Sequence, residues 1–255
     1  MKKTLPNLKI VSLDCLVLHE YVDPARIARL SRQIKKDNIF TNPPLVAKID
    51  QTNKFVVLDG ANRTTVFKNL GFKDIVVQIV DYNRDDLELK TWNHVIPGLK
   101  AKEFFGQIKG AVDNLMIKNF KLDGYKIICQ PIFKNIFLDY IKALNVVVDL
   151  YAKRKFYRLD NQGDFSAQGN KTLIIFPRFK PEDIITVARK NLKVPSGITR
   201  HLIFGRALRV DLPMKILKQN KSLVWKNKQL NILIKQRFEQ NKIRRYQEPV
   251  FIFND

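Results

Sequence analysis

The sequence predicts a mixed α/β protein (α/β in the α+β sense), with one unit over residues 1–98 and a C-terminal α/β part over 99–255 that closes a cleft against it. Three observations predict this. Short runs rich in Val, Ile and Leu alternate with stretches whose apolar residues recur at helical spacing. Pro, Gly, Asn and Asp mark the junctions between them. At 255 residues and 45% hydrophobic, the chain can bury a sizeable core without disulfides or a structural metal.

Residues 8–18, LKIVSLDCLVL, read as one strand that ends at His19-Glu20. Asp23-Pro24 supplies an N-cap followed by proline at the first helical position, and Ile27, Leu30 and Ile34 share a face of the helix that follows. Pro43-Pro44 breaks the chain before strands at 45–49 and 54–58, joined by a turn at 50–53. After Asp59-Gly60 the period changes: Val66, Phe67 and Leu70 mark a short helix stopped by Gly71, and a strand at 75–80 completes the unit. Residues 84–95 read as a helix that carries Trp92 and His94. Beyond it, amphipathic helices are expected over 99–120 and 137–155, with the strand YKIIC between them. A loop at 161–170 precedes a strand at 173–176 and a helix opened by Pro181-Glu182-Asp183. A basic helical tail at 213–245 and a strand at 249–253 follow.

Charge narrows the function classes. Lys plus Arg number 46 against 24 Asp plus Glu, for a net +22, which favours an anionic partner over a charge-balanced one. The surplus is C-terminal: residues 1–100 hold 16 basic and 11 acidic side chains, and 101–255 hold 30 and 13. A solvated basic surface is the plainest reading of it; non-specific contact with nucleic acid is the sharper one. Cys15 and Cys129 lack the spacing of a zinc site or a disulfide scaffold and read as buried thiols in a reducing compartment. His19, His94 and His201 share no metal-ligand spacing. The opening residues make a poor secretion signal and no run is long enough to span a membrane, so a cytoplasmic protein without membrane contact is expected.

Three segments can carry chemistry. In VVLDGANRTT (56–65) a strand runs through Asp59-Gly60 straight into a helix, whose first amides would bind phosphate, with Arg63 and Thr64 as added donors and Asp59 as a Mg²⁺ ligand. The bland alternative is an ordinary turn with Asp59 as N-cap. No G-x-x-x-x-G-K-[ST] or G-x-G-x-x-G occurs, which argues against P-loop and Rossmann sites. Glu20, at a strand end, could take a proton from a hydroxyl nucleophile, although the plainer reading is a surface glutamate with no chemical role. VPSGITRH (194–201) offers Thr199, Arg200 and His201 after a defined turn, suited to a small carboxylate ligand or, more plainly, to a hairpin entry. Trp92 by itself reads as a packing residue.

In order, HE (19–20), LDGANR (58–63), TWNH (91–94) and VPSGITRHLIFGRALRVDLP (194–213) resemble the free L-serine kinases of the ParB/sulfiredoxin-like superfamily. The resemblance spans most of the chain; its C-terminal motif is the most specific part, whereas D-G-x-x-R recurs across the superfamily. It implies a ParB/sulfiredoxin-like nucleotide-binding unit and transfer of a phosphoryl group from ATP or ADP, with Mg²⁺, to L-serine. It further implies Glu20 as general base, Asp59, Gly60, Ala61, Asn62, Arg63 and Thr64 as the phosphate turn with Asp59 near the metal, and Trp92, Thr199, Arg200, His201 and Gln33 around the serine. Ala61 and Asn62 stand where the family carries histidine at one or both positions, and Gln33 where it carries serine. Backbone amides survive those changes; imidazole contacts to phosphate do not. A ParB-like, nucleotide-responsive DNA-binding protein is the competing expectation, although no helix-turn-helix or arginine-rich nucleotide box is found. Sulfiredoxin-like chemistry would need a cysteine near the phosphate turn, where neither Cys15 nor Cys129 falls.

Overall fold

The computed structural model describes residues 5–83, 87–130, 136–159 and 170–245, so the strand expected at 249–253 and nearly all of the 161–170 loop lie outside the described residues. The strand expected over 8–18 is two strands, β1 (Leu8–Ser12) and β2 (Leu16–Leu18), separated by a 3₁₀ turn at Leu13–Cys15. There follow α1 (Pro24–Asp37), β3 (Ile39–Phe40), β4 (Leu45–Lys48), β5 (Phe55–Asp59), α2 (Ala61–Asn69) and β6 (Asp74–Val80), close to the sequence reading. α1 starts as its sequence dictates: the Asp23 carboxylate accepts the N–H groups of Ala25 and Arg26, and Pro24 occupies the first turn.

These strands form a mixed sheet in the order β1-β6-β4-β5-β2. β1 and β2 sit at opposite edges although only a three-residue turn joins them. Four residue steps reach at most about 15 Å, less than the roughly 19 Å across a flat five-stranded sheet. The sheet must therefore curl. β2 runs parallel to β5, with Leu18 opposite Val57, so the chain leaves both strands on the same side.

The expected 84–95 helix is replaced by β7 (Leu87–Thr91) and β8 (Asn93–Pro97), with Trp92 between them. The reason is visible in LELKT, whose apolar residues alternate with period two and are the less exposed face of the strand. The 99–120 helix is also shorter than expected. α3 (Ala101–Ala111) stops at an extended Val112, α4 (Asn114–Ile117) is a single turn, and β9 (Phe120–Asp123) begins within the predicted helix. β10 (Lys126–Cys129), α5 (Phe137–Asp149), β11 (Tyr157–Leu159), β12 (Lys171–Ile175) and α6 (Pro181–Arg189) follow. Then come β13 (Thr199–Ile203), β14 (Leu212–Pro213), α7 (Met214–Lys218) and α8 (Leu223–Glu239). The second sheet has the order β11-β8-β12-β10-β9, and two-stranded ribbons join β13 to β7 and β14 to β3.

The first sheet is buried on both faces. Val46 and Val57 point into one apolar cluster with Ile10, Phe67, Leu212 and Leu230, whereas Ala47, Val56 and Leu58 point into the other with Phe104, Tyr140, Ile174 and Ile184. α8 returns to cover β1: the Asn227 side chain accepts Ile10 N–H and donates to its carbonyl, closing an otherwise open strand edge. Lys226 is anchored below it on Asp74 at 2.7 Å. These contacts, with β8 in the second sheet, cross residue 98 in both directions. Among the described residues no helix is long and apolar enough to cross a membrane.

Candidate active site

Parallel pairing of β2 with β5 brings the first two sequence-predicted segments together, because His19-Glu20 and Asp59-Gly60 both issue from carboxyl-terminal strand ends. The third joins them by backbone pairing: Val194 N–H donates to the His19 carbonyl at 2.8 Å, and Tyr21 N–H to the Val194 carbonyl at 3.0 Å. Gly197 N–H then donates to Glu20 Oε2 at 3.2 Å. Gly197 has φ +73°, a backbone conformation that strains any other residue, and the Arg158 guanidinium from β11 occupies the space where a Cβ would sit.

Glu20 is half-buried. Burial pushes its carboxyl up to about 7; the Gly197 N–H opposes the shift, the negative charge of Asp59 adds to it, and Arg158 and Arg26 reduce it. Asp59 is the reverse case. Burial alone would raise it, but Arg63 and Arg206 together hold it below its ordinary value. Arg63 Nη2 lies 2.8 Å from Asp59 Oδ2, and Arg206 Nη2 bonds the same oxygen.

Asp59 does not cap α2. The N-cap is Gly60, at φ 100° and without a side-chain cap bond, so the amides of the first turn keep their capacity for an external acceptor. A Cβ at Gly60 would come within 2.9 Å of Pro44 Cβ. The Thr64 hydroxyl and the Nε atoms of Arg63 and Arg206 are buried with no partner among the described residues. Asn62 instead serves the fold, since its Oδ1 accepts Asp23 N–H at 2.8 Å and ties the start of α1 to α2.

The expected serine-site residues converge in part. His19 Nδ1 lies 2.7 Å from the Val57 carbonyl, which fixes that nitrogen as the donor, and Nε2 therefore accepts from the Thr199 hydroxyl at 3.0 Å. His201 Nε2 pairs with the Tyr82 hydroxyl at 2.7 Å and packs edge-on against His19. Burial drives His19 down to about 4 and His201 to about 3, so both are neutral at pH 7. Trp92 N–H donates to the Ile198 carbonyl, and the Arg200 guanidinium lies 4.2 Å from the centre of the Trp92 ring. Trp92 thus joins the site as well as packing. Gln33 is exposed on α1, and no described hydrogen bond ties it to this cluster. Sequence reasoning missed Arg158, Tyr82 and Arg206, which reach Gly197, His201 and Asp59 only through contacts far away in the chain.

No group of three or more His, Cys, Asp or Glu placed to hold a metal occurs among the described residues. Cys129 is buried and Cys15 half-buried, both away from the phosphate turn in the chain. A groove of about 780 Å³ between β1 and α8 contains none of the candidate residues.

No family model matches the chain. It is 26% identical over 221 residues to the ATP-dependent L-serine kinase SbnI of Staphylococcus aureus, covering 84% of this chain and 85% of that protein. It is 25% identical over 134 residues to the ADP-dependent L-serine kinase SerK of Thermococcus kodakarensis, about half of each chain. Among solved structures, SbnI with a C-terminal truncation from S. aureus superposes with a TM-score of 0.74 at 23% identity, covering 91% of this chain and 97% of that one. A free serine kinase in complex with AMP gives 0.68 at 19%, covering 84% and 95%. The resemblance read from the sequence is borne out: the chain has the fold of the free serine kinases and is related in sequence to proteins of that name.

Proposed function

We propose that this protein is a free L-serine kinase that transfers a phosphoryl group from an adenine nucleotide to the serine hydroxyl, giving O-phospho-L-serine. One observation carries the reading: Glu20 and the uncapped start of α2 lie on neighbouring parallel strand ends, and Glu20 is bonded to the segment that presents Thr199, Arg200 and His201. Glu20 takes the hydroxyl proton as the serine oxygen bonds to the terminal phosphorus and the bond from that phosphorus to the nucleotide's bridging oxygen breaks. A carboxyl at about 7 is suited to this role, being ionised enough to accept the proton and basic enough to hold it. The first amides of α2, with Arg63 and Thr64, meet the phosphates. Thr199, its proton committed to His19, offers lone pairs to the substrate ammonium, and Arg200, stacked on Trp92, is oriented for the carboxylate.

Mg²⁺ is part of the proposal. Both described contacts to Asp59 fall on Oδ2, so Oδ1 fits a cation held otherwise by substrate phosphates and water. Such an ion would neutralise charge on the phosphates. The residues fit a metal that arrives with nucleotide better than one bound alone. The test is ³¹P NMR of the protein with Mg²⁺ and L-serine, given ATP or ADP, with threonine and homoserine as controls. A serine-dependent phosphomonoester signal is expected; its absence with both donors would overturn the reading.

A further inference from the structure

Two guanidinium groups meet at Asp59, and only Arg63 was visible as a phosphate ligand in the sequence. Arg206 comes from the loop after β13, which has no regular structure of its own. What fixes it is Gln78. This buried residue of β6 accepts Ala207 N–H at 2.8 Å on Oε1 and donates from Nε2 to the Gly205 carbonyl at 3.1 Å, gripping the backbone on both sides of Arg206. A single amide side chain thus splints the loop, so that the arginine between projects to Asp59.

The pairing is incomplete as a purely structural device. Each arginine bonds Asp59 Oδ2 through Nη2, while among the described residues the Nε–H of the same guanidinium is buried without an acceptor, as is the Thr64 hydroxyl one residue beyond Arg63. Unmet buried donors are costly, and three around one uncapped helix start call for an anion with several oxygens. Among the described residues the Gln78 side chain forms no other hydrogen bond, and its strand partners Leu8 and Leu45 are apolar.

We propose that Arg206, delivered by the Gln78 splint, is a phosphate-contacting residue that grips the phosphate beyond the α-phosphate of the nucleotide together with Arg63, with Asp59 holding both guanidinium groups ready. This rests on the kinase reading of the site. Arg206 supplies discrimination between nucleotides that carry that group and those that lack it, and Gln78 is its positioning residue.

The test is calorimetric titration of the full chain with ADP and with AMP, Mg²⁺ being removed by EDTA so that the guanidinium contact is measured alone. Wild type should prefer ADP. R206Q should lose about 10- to 100-fold of ADP affinity with AMP affinity unchanged, as expected for one charge-assisted contact. R206K, which keeps charge without the fork, should fall between the two, and Q78L should lower the ADP/AMP ratio with Arg206 intact. A purely structural Arg206 would lower Tm and leave the ratio at the wild-type value in R206Q and Q78L; that result would overturn the proposal. Failure of wild type to bind either nucleotide both in EDTA and with Mg²⁺ restored would instead overturn the kinase reading on which it rests.

Discussion

The ends of β2 and β5 are adjacent, parallel and each carry a carboxylate, yet they shift those carboxylates in opposite directions. At the end of β2, Glu20 meets one backbone N–H and little compensating charge, so burial prevails and its carboxyl rises to about 7. At the end of β5, Asp59 meets two guanidinium groups, so charge prevails over burial and it stays ionised. One strand pair can thereby supply two kinds of chemistry. A pair of acids pushed apart by their surroundings divides into a group that exchanges protons and a group that holds cations.

Removing the proposed proton acceptor should have the largest effect. Glu20→Gln should lower kcat by about 10²- to 10⁴-fold with nucleotide affinity within a few-fold of wild type; turnover near wild type would remove Glu20 as the base. Gly197→Ala tests the turn that supports it. A side chain there must displace Arg158 and adopt φ +73°, at a cost of about 1–3 kcal/mol, seen as a lowered midpoint in denaturant titration together with reduced activity.

Acid should then separate the buried histidines from the site's carboxylate. His19, His94 and His201 are held neutral with folded values of about 4, 4 and 3, below the ordinary 6.5, so the unfolded chain binds more protons. Their contribution is present above 6.5 and is lost as pH falls towards those folded values. Glu20 has the opposite sign: its folded value of about 7 lies above 4.5, so its contribution weakens as pH rises between them. Three groups outweigh one, and Tm should fall as pH drops from 6.5 to 4.5; a Tm that rose over that interval would contradict the buried neutral histidines.

A smaller effect concerns the pH profile. kcat/KM should rise through one ionisation near 7 as Glu20 loses its proton, and Asp59→Asn, which removes a neighbouring negative charge, should move the midpoint of the residual activity to lower pH. Movement to higher pH would show that the two strand ends are not coupled as described. The smallest is Asn62→Ala, which removes one exposed bond to Asp23 N–H and should cost about 0.5–1.5 kcal/mol, read from chemical denaturation.

Local signals were legible wherever a residue acts on its own neighbours. Asp23-Pro24 specified the start of α1, the break at Pro43-Pro44 separated α1 from β4, and the change of period after Asp59 marked β5 passing into α2. The helix expected at 84–95 is not formed because LELKT alternates with a strand's period, and β13, more than a hundred residues on, supplies the partner that makes β7 a strand. The split at Leu13–Cys15 was equally hidden, since apolar residues continue through it and only the curl of the sheet sends its two halves to opposite edges.

The residue types of the chemistry were already written in the chain: a glutamate at one strand end, D-G-x-x-R at another, and Thr-Arg-His after a Pro-Gly turn. Their states were set by tertiary contacts. Whether Glu20 holds a proton near neutrality depends on how deeply it is buried and on Gly197, 177 residues away, and whether Asp59 is ionised depends on Arg206, 147 residues away. Side-chain identity is a local property, whereas solvation and electrostatic potential are sums over everything the fold brings near.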